Sequence, residues 1–294
     1  MFTNTTQKPQ NYKKRITKNS AGVACIRYNK NDKLYEVLMV RKRYTYGFAS
    51  FVFGQYNKRD EKHIVDLLNL MTNQEKLDIL SLNFDLMWWR VWCDLPNQKK
   101  NSNNNNNWTD IYNKKTMFNF IRSGGGSKTK YDLYLKKKAK FESTFVSNTK
   151  LLEKLIKRST SGSELMWEIP KGRTEIDENK LDCALREFTE ETGICSSAVR
   201  ILPDVNPFFD IFTHMGQKYN SYYYVGIITQ DIEPKISFNI ISQLIEIDDI
   251  KWVSLDELKF ILKNKIIHSH LKKIFKIVKN RYSKYSKEFA DNII

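Results

Sequence analysis

Apolar residues recur along the chain with two different spacings, and the change between them divides the sequence. AGVACIRYN (Ala21–Asn29) and YEVLMVRKR (Tyr35–Arg43) are short runs rich in β-branched and aromatic residues. Turn-forming residues from Asn29 to Lys33 separate them, which predicts a β-hairpin. From His63 to Trp92 the spacing becomes helical: Ile64, Leu67, Leu68 and Met71 recur, followed by Leu77, Leu80 and Leu82. MWWRVW (Met87–Trp92) continues that spacing and reads as core. NQKKNSNNNNN (Asn97–Asn107) is too polar to pack, and Thr109 to Lys157 reads as two helices broken by SGGGS (Ser123–Ser127).

Strand-like sequence returns in ELMWEIP (Glu164–Pro170), YNSYYYVGIIT (Tyr219–Thr229) and IDDIKWVSLDEL (Ile247–Leu258), the last running into a short helix. A helix is predicted from about Asn179 to Thr192, with Gly193 as its C-cap. Leu258 to Ser286 is amphipathic, with Leu262, Ile266, Leu271, Phe275 and Val278 near one face. These patterns predict an α/β domain interrupted by a helical insertion. The expected divisions are a basic arm at 1–19, the α/β domain at 20–55 and 158–294, and the insertion at 56–157.

Charge adds a partner to this outline. The formal net charge is +16, from 49 Lys+Arg against 33 Asp+Glu. No acid occurs from Met1 to Asn31 or from Lys259 to Lys287, and Lys128, Lys130, Lys136, Lys137, Lys138 and Lys140 form a third basic run. Three separated runs suit a long polyanion tracked across a surface better than one small ligand. Cys25, Cys93, Cys183 and Cys195 show no metal-ligand spacing and read as reduced thiols. With no apolar leader or membrane-span pattern, the expectation is a soluble protein of the cytoplasm that makes no membrane contact.

Against this basic background, one predicted helix carries Glu187, Glu190 and Glu191 on a narrow face. Like charges at that spacing oppose helix formation, so a bound cation is expected to compensate. Three carboxylates suit a hard divalent cation. Glu178 is placed to brace the preceding loop by pairing with Arg186, and Gly172 stands where the chain turns after the strand, bringing its carbonyl near the cation. Over 23 residues the order is Gly172, five residues, Glu178, seven residues, then Arg186-Glu187-Phe188-Thr189-Glu190-Glu191-Thr192-Gly193-Ile194. This stretch resembles the Nudix hydrolase signature at every fixed position. The resemblance implies an α-β-α fold with a mixed sheet between helices, and an inserted all-α domain beside it. It implies Mg²⁺ or Mn²⁺ bound by Glu187, Glu190, Glu191 and Gly172, and hydrolysis of a pyrophosphate in a nucleoside diphosphate derivative.

The flanks narrow the substrate. WEIPKGR (Trp167–Arg173) is similar to the opening of this motif in mRNA-decapping and diphosphoinositol-polyphosphate Nudix enzymes. Lys171 and Arg173 become candidate phosphate contacts, with a solvated turn as the alternative for Lys171. QLIEIDDIKWVSLDEL (Gln243–Leu258) is similar to the end of the Nudix domain in eukaryotic decapping enzymes. The matching Glu246 is then a metal ligand or general base, with Asp248 and Asp249 as alternatives, so the catalytic set is Glu246, Glu190 and Arg186. A helical insertion between the first hairpin and the box resembles the Nudix decapping enzymes of large cytoplasmic DNA viruses. That likeness implies removal of the 5′ cap from mRNA as m7GDP and 5′-monophosphate RNA in the host cytoplasm. Lys128, Lys130, Lys136, Lys137 and Lys138 would then hold the RNA body. A methylated guanine stacks on aromatic rings, for which Phe53 and Tyr222 are candidates among Phe48, Phe51 and Tyr222–Tyr224. The rival readings are a diphosphoinositol polyphosphate phosphohydrolase and a non-enzymatic RNA- or cap-binding module.

Overall fold

The computed structural model describes residues 17–92, 128–160, 162–214, 217–237 and 240–291. Most of the basic arm, Cys93, the Asn tract and SGGGS lie outside the described residues, and the side chains of Lys128 and Lys130 are likewise not described. The predicted hairpin is β1 (Lys18–Asn29) and β2 (Leu34–Lys42), antiparallel from Ile26 opposite Val37 to Asn29 opposite Leu34.

Helices follow β2 at once: α1 (Tyr46–Val52), α2 (Glu61–Asn69), α3 (Asn73–Leu80), α4 (Phe84–Trp92), α5 (Lys128–Thr144) and α6 (Thr149–Arg158). They enclose a core of their own, in which Phe51, Leu68, Trp88, Phe141 and Leu155 are buried. Helical packing begins at Tyr46, ahead of the expected boundary at 56, so Phe48 and Phe51 belong inside it. Leu77, expected inside, is exposed, and Ile79 takes the buried position. The chain breaks after Asn69 and restarts at a capping box formed by Thr72 and Glu75, which resets the helical phase.

The remaining strands build one mixed sheet around the hairpin. β7 (Gln217–Ile228) runs parallel to β1 from Lys18 opposite Tyr219 to Ile26 opposite Ile227. β3 (Trp167–Glu168) and β8 (Ile247–Ser254) add to β2, and β4 (Lys171–Arg173) adds to β1. β5 (Val199–Ile201) and β6 (Phe208–His214), which the spacing did not predict, add to β7. Both have weak signals: β5 is short, and β6 leaves Phe209 and Ile211 exposed.

Alternation along the strands splits the sheet into two buried faces. Ala21, Val23 and Cys25 of β1 pack with Leu38 and Val40 of β2 against Cys183, Ala184 and Phe188 of α7 (Lys180–Thr192). Ala24, Ile26, Val37 and Met39 face the other way. After α8 (Ile241–Glu246), α9 (Leu255–Ile261) and α10 (Lys265–Asp291) cover that second face. Ile267, Leu271, Ile274, Phe275 and Val278 of α10 are buried there. Ile266 is exposed instead, because the Asn264 side chain caps a new helix and sets Ile267 inward. The result is the α-β-α arrangement with a helical body attached at the end of β2. Among the described residues no helix is long and apolar enough to cross a membrane.

Candidate active site

The acidic helix α7 is defined at both ends by its own residues. Asn179 caps the start, its side chain accepting from the backbone of Leu181 and Asp182. Gly193 ends it at φ 71, a left-handed conformation that glycine adopts without steric cost. Burial of Cys183, Ala184 and Phe188 against the sheet fixes the rotation of the helix, which sets Glu187 against Gly172 of β4 and Glu191 against Lys42 of β2, with Glu190 part-exposed beside them. Gly172 is required by close approach: a Cβ there would lie 1.9 Å from the carboxyl carbon of Glu187.

The expected brace is present. Arg186 donates through Nε to Glu178 at 2.7 Å and through Nη2 at 2.9 Å. Its Nη1 reaches Glu187 at 2.8 Å and Glu190 at 3.2 Å, and its Nη2 also bonds the Arg173 carbonyl at 3.1 Å. One guanidinium therefore ties the loop to two of the three box carboxylates. The third, Glu191, is buried and points elsewhere: Oε2 accepts from the Lys171 backbone at 3.0 Å, and Oε1 pairs closely with Lys42 Nζ.

Lys42 was not among the residues singled out from sequence, yet it is the centre of the second half of the site. A register shift between Arg41 and Lys42 ends β2 and turns the side chain. Nζ then meets Glu246 at 3.1 Å and Glu168 at 3.6 Å besides Glu191. Backbone bonds from Lys42 to Met166 at 3.0 Å and from Arg43 to Glu246 at 2.9 Å draw the two distant segments to the same strand end. Glu168 also takes an ion pair from Lys171 at 2.5 Å and a hydrogen bond from the Tyr46 hydroxyl at 3.3 Å. Glu168 and Tyr46, like Lys42, gave no spacing signal. Glu168 lies inside the WEIPKGR stretch, whereas Lys42 and Tyr46 offer only charge or polarity at the edge of a strand or helix.

Burial and charge compete throughout this network. Burial pushes the Glu191 carboxyl up to about 7, against the opposing pull of Lys42 and with support from Glu168 and Glu246. Burial also raises Glu187, although Arg186 counteracts it. Burial would lower Lys42, but the carboxylates of Glu191, Glu246 and Glu168 outweigh it and hold the ammonium charged. Burial raises Glu168 in isolation, yet Lys171 and Lys42 bring it below the ordinary range. Outside the buried part, the hydrogen bond from Arg186 pulls Glu178 down to about 2.

The NUDIX domain matches residues 145–275. The asymmetrical bis(5'-nucleosyl)-tetraphosphatase of Rattus norvegicus is 30% identical over 112 residues, covering 38% of this chain and 70% of that protein. The chain belongs to the Nudix hydrolases. The mRNA-decapping protein g5R of African swine fever virus is 28% identical over 257 residues, covering 85% of this chain and 91% of that protein. The mRNA decapping complex subunit 2 of Schizosaccharomyces pombe is 39% identical over 100 residues, covering 34% of this chain and 12% of that protein.

The donor chemistry of this Nudix site fits a hard divalent cation. It offers carboxylate oxygens, a buried Glu191 that needs a positive partner, and a Gly172 backbone held against Glu187 by the absence of a side chain. As placed, the carboxylates are bonded to Arg186 and Lys42, and among the described residues no group of three or more acidic, His or Cys side chains is arranged to hold a metal ion. Glu246 closes the cluster at the end of α8, while Asp248 and Asp249 pair instead with Arg41 at 2.6 and 3.5 Å.

The remaining candidates separate. Lys171 is not a solvated turn residue: its ammonium pairs with Glu168 at 2.5 Å and its side chain is 11% exposed. Arg173 is exposed beside the box. In the basic run of α5, Lys138 pairs with Asp85 at 2.6 Å, and Lys140 donates to the carbonyls of Gly54 and Tyr56 at 2.8 and 2.6 Å. Lys136 is exposed and Lys137 half-buried. Phe53 packs edge-on to Trp88 in the helical core, whereas Tyr222 lies on the α7 side of the sheet under Lys180, 3.5 Å from the ring centroid. Phe53 and Tyr222 thus pack in different clusters, and the structure does not bring them together as a stacking pair.

Proposed function

We propose that this Nudix hydrolase removes the 5′ cap of mRNA, cleaving the cap pyrophosphate to release m7GDP and 5′-monophosphate RNA. The observation that carries this reading is the extent of the likeness to the viral decapping protein, which spans 85% of this chain and 91% of that protein. It therefore takes in far more than the box and its helix. The host cytoplasm, where capped mRNA is found, is the proposed place of action.

Glu187, Glu190, Glu191 and the Gly172 carbonyl would hold Mg²⁺ or Mn²⁺. Bound there, such ions neutralise pyrophosphate charge and lower the pKa of an attacking water. The chain's own residues do the rest. Arg186, braced by Glu178, orients Glu187 and Glu190. Glu246 is half-exposed at the rim and within reach of Lys42, a place from which it can accept the proton of the attacking water. Glu168, through Lys171, fixes the strand that carries Gly172. Among the candidate phosphate contacts whose side chains are described, exposed Arg173 and Lys136, with half-buried Lys137, would meet RNA phosphates.

Capped RNA labelled in the cap phosphates, incubated with the purified chain and Mn²⁺ or Mg²⁺, tests the reading. The expected product is labelled m7GDP. Failure to release it overturns decapping, and turnover of an inositol pyrophosphate in a parallel reaction would then favour the diphosphoinositol substrate. Inactivity on both, with retained affinity for capped RNA, would leave a binding module.

A further inference from the structure

The centre of the carboxylate cluster already contains a cation, and it belongs to the protein. Lys42 Nζ pairs with Glu191 and lies 3.1 Å from Glu246 and 3.6 Å from Glu168. The Lys42 side chain is 14% exposed and that of Glu191 4%, so water screens this pair poorly. The lysine cannot easily retreat. Its backbone N–H is bonded to Met166, and the register shift at the end of β2 aims the side chain at the cluster. Glu191 cannot turn away either, since its second oxygen is held by the Lys171 N–H.

We propose that Lys42 is a positioning residue that acts as an internal counter-cation. It competes with a divalent ion for Glu191 and holds Glu246 over the cluster. This rests on the reading of Glu187, Glu190 and Glu191 as the divalent-ion site. The reasoning is electrostatic. A divalent ion bound to Glu191 brings two positive charges next to a buried ammonium, and like charges at such separations repel strongly in a poorly screened site. Part of the ion's binding energy is therefore spent on moving Lys42 away from Glu191. Without any ion, the same ammonium keeps Glu191 from being buried unpaired, a costly state for a carboxylate. Lys42 thereby trades ion affinity for a cluster that stays assembled between bound states. As the ammonium shifts from Glu191, Glu246 remains within its reach, which couples ion occupancy to the position of the general base.

The test compares Mn²⁺ binding by the full-length chain with that of Lys42→Met and Lys42→Arg, by titration calorimetry and by Mn²⁺ electron paramagnetic resonance. Lys42→Met removes the charge at similar length, and its Mn²⁺ dissociation constant should fall about tenfold or more. Its melting temperature in EDTA should drop, and added Mn²⁺ should raise it by more than it raises the wild type. Lys42→Arg keeps the charge and should restore both properties. An unchanged or weaker Mn²⁺ affinity in Lys42→Met overturns the proposal, because a merely structural lysine would not oppose the ion. Should Lys42→Met fail to fold in EDTA, ¹⁵N-lysine-labelled wild type replaces it. The Nζ resonance missing from Lys42→Arg should shift when Mg²⁺ is added, and an unmoved resonance overturns the idea. Absence of any Mn²⁺ binding by the wild type would instead sink the divalent-ion reading itself.

Discussion

Helices α7 and α5 both concentrate one sign of charge, and they resolve it in opposite ways. In α7 the three box glutamates are met by two cations: Arg186 of the same helix for Glu187 and Glu190, and Lys42 at the end of β2 for Glu191. In α5 the lysines are divided among unrelated structural tasks. Lys138 answers Asp85 of α4, Lys140 satisfies two carbonyls after α1, Lys136 is exposed and Lys137 is half-buried. A charge run in sequence therefore marks a site only when its members converge on common partners. Glu187 and Glu190 share Arg186, Glu191 joins Glu168 and Glu246 on Lys42, and the lysines of α5 share no such partner among the described contacts.

The sharpest way to break this contrast is to neutralise one member of each run. Glu190→Gln removes a carboxylate whose side-chain partner among the described residues is Arg186 at 3.2 Å. The fold should survive, while pyrophosphate hydrolysis falls by about 10²–10³, the scale seen when an electrostatic contact to the transition state is deleted. Steady-state kinetics with Mn²⁺ on capped RNA measures it. Activity within tenfold of wild type would remove α7 from the chemistry and make its acids as ordinary as the α5 lysines.

Next in size is the brace. Glu178 is held down to about 2 by Arg186, against an ordinary value of 4.5. A depressed folded-state pKa contributes stability above pH 4.5, and that stability is lost as pH falls toward 2. Glu178→Gln should lower stability by about 1–3 kcal/mol near neutrality, as for a lost charged hydrogen bond. It should also flatten the loss of stability between those pH values. Denaturant titrations across pH 2–6 check both; an acid limb as steep as wild type's would show that Glu178 is not the group responsible. Lys138→Met, by contrast, should cost only about 1 kcal/mol, because Asp85 keeps the Tyr134 hydroxyl at 2.5 Å. Thermal melts of the two variants side by side rank the brace against the α5 pair.

The contrast also explains what could be read in advance. The hairpin, α7, β7 and the box geometry were legible because each rests on local chemistry: alternation, an Asn cap, a left-handed glycine, and carboxylates one helical turn apart. The Glu178–Arg186 brace was legible for the same reason, since eight residues of separation keep it near-local. Lys42, Glu168 and Tyr46 were not. Lys42 meets Glu191 across 149 positions and Glu246 across 204, through a strand-end irregularity that has no signature in residue type. Phase errors at Leu77 and Ile266 have a common origin. Capping residues Thr72 and Asn264 restart helices where the apolar pattern alone reads as continuous.

The smallest effect tests the part of α5 that still supports an RNA role. Lys136 and Lys137 are the α5 lysines between Tyr134 and Thr144 without a pairing to carboxylate or carbonyl among the described contacts, and one of them is fully at the surface. If they meet phosphates, each replaced charge removes one released counterion, so Lys136→Gln with Lys137→Gln should reduce the slope of log affinity against log salt by about 2. Hydrolysis of a cap dinucleotide, which has no RNA body, should remain unchanged. Filter binding of a capped RNA across a salt series reads the slope, and the dinucleotide assay supplies the internal control. Lys138→Met belongs in the same series as a contrast, because its charge is already spent on Asp85 and its removal should leave the slope nearly unaltered. A slope that falls equally for Lys138→Met would mean that the Asp85 pair opens on RNA. The basic run would then act as one surface, and the difference between α5 and α7 would narrow to which partner each run meets.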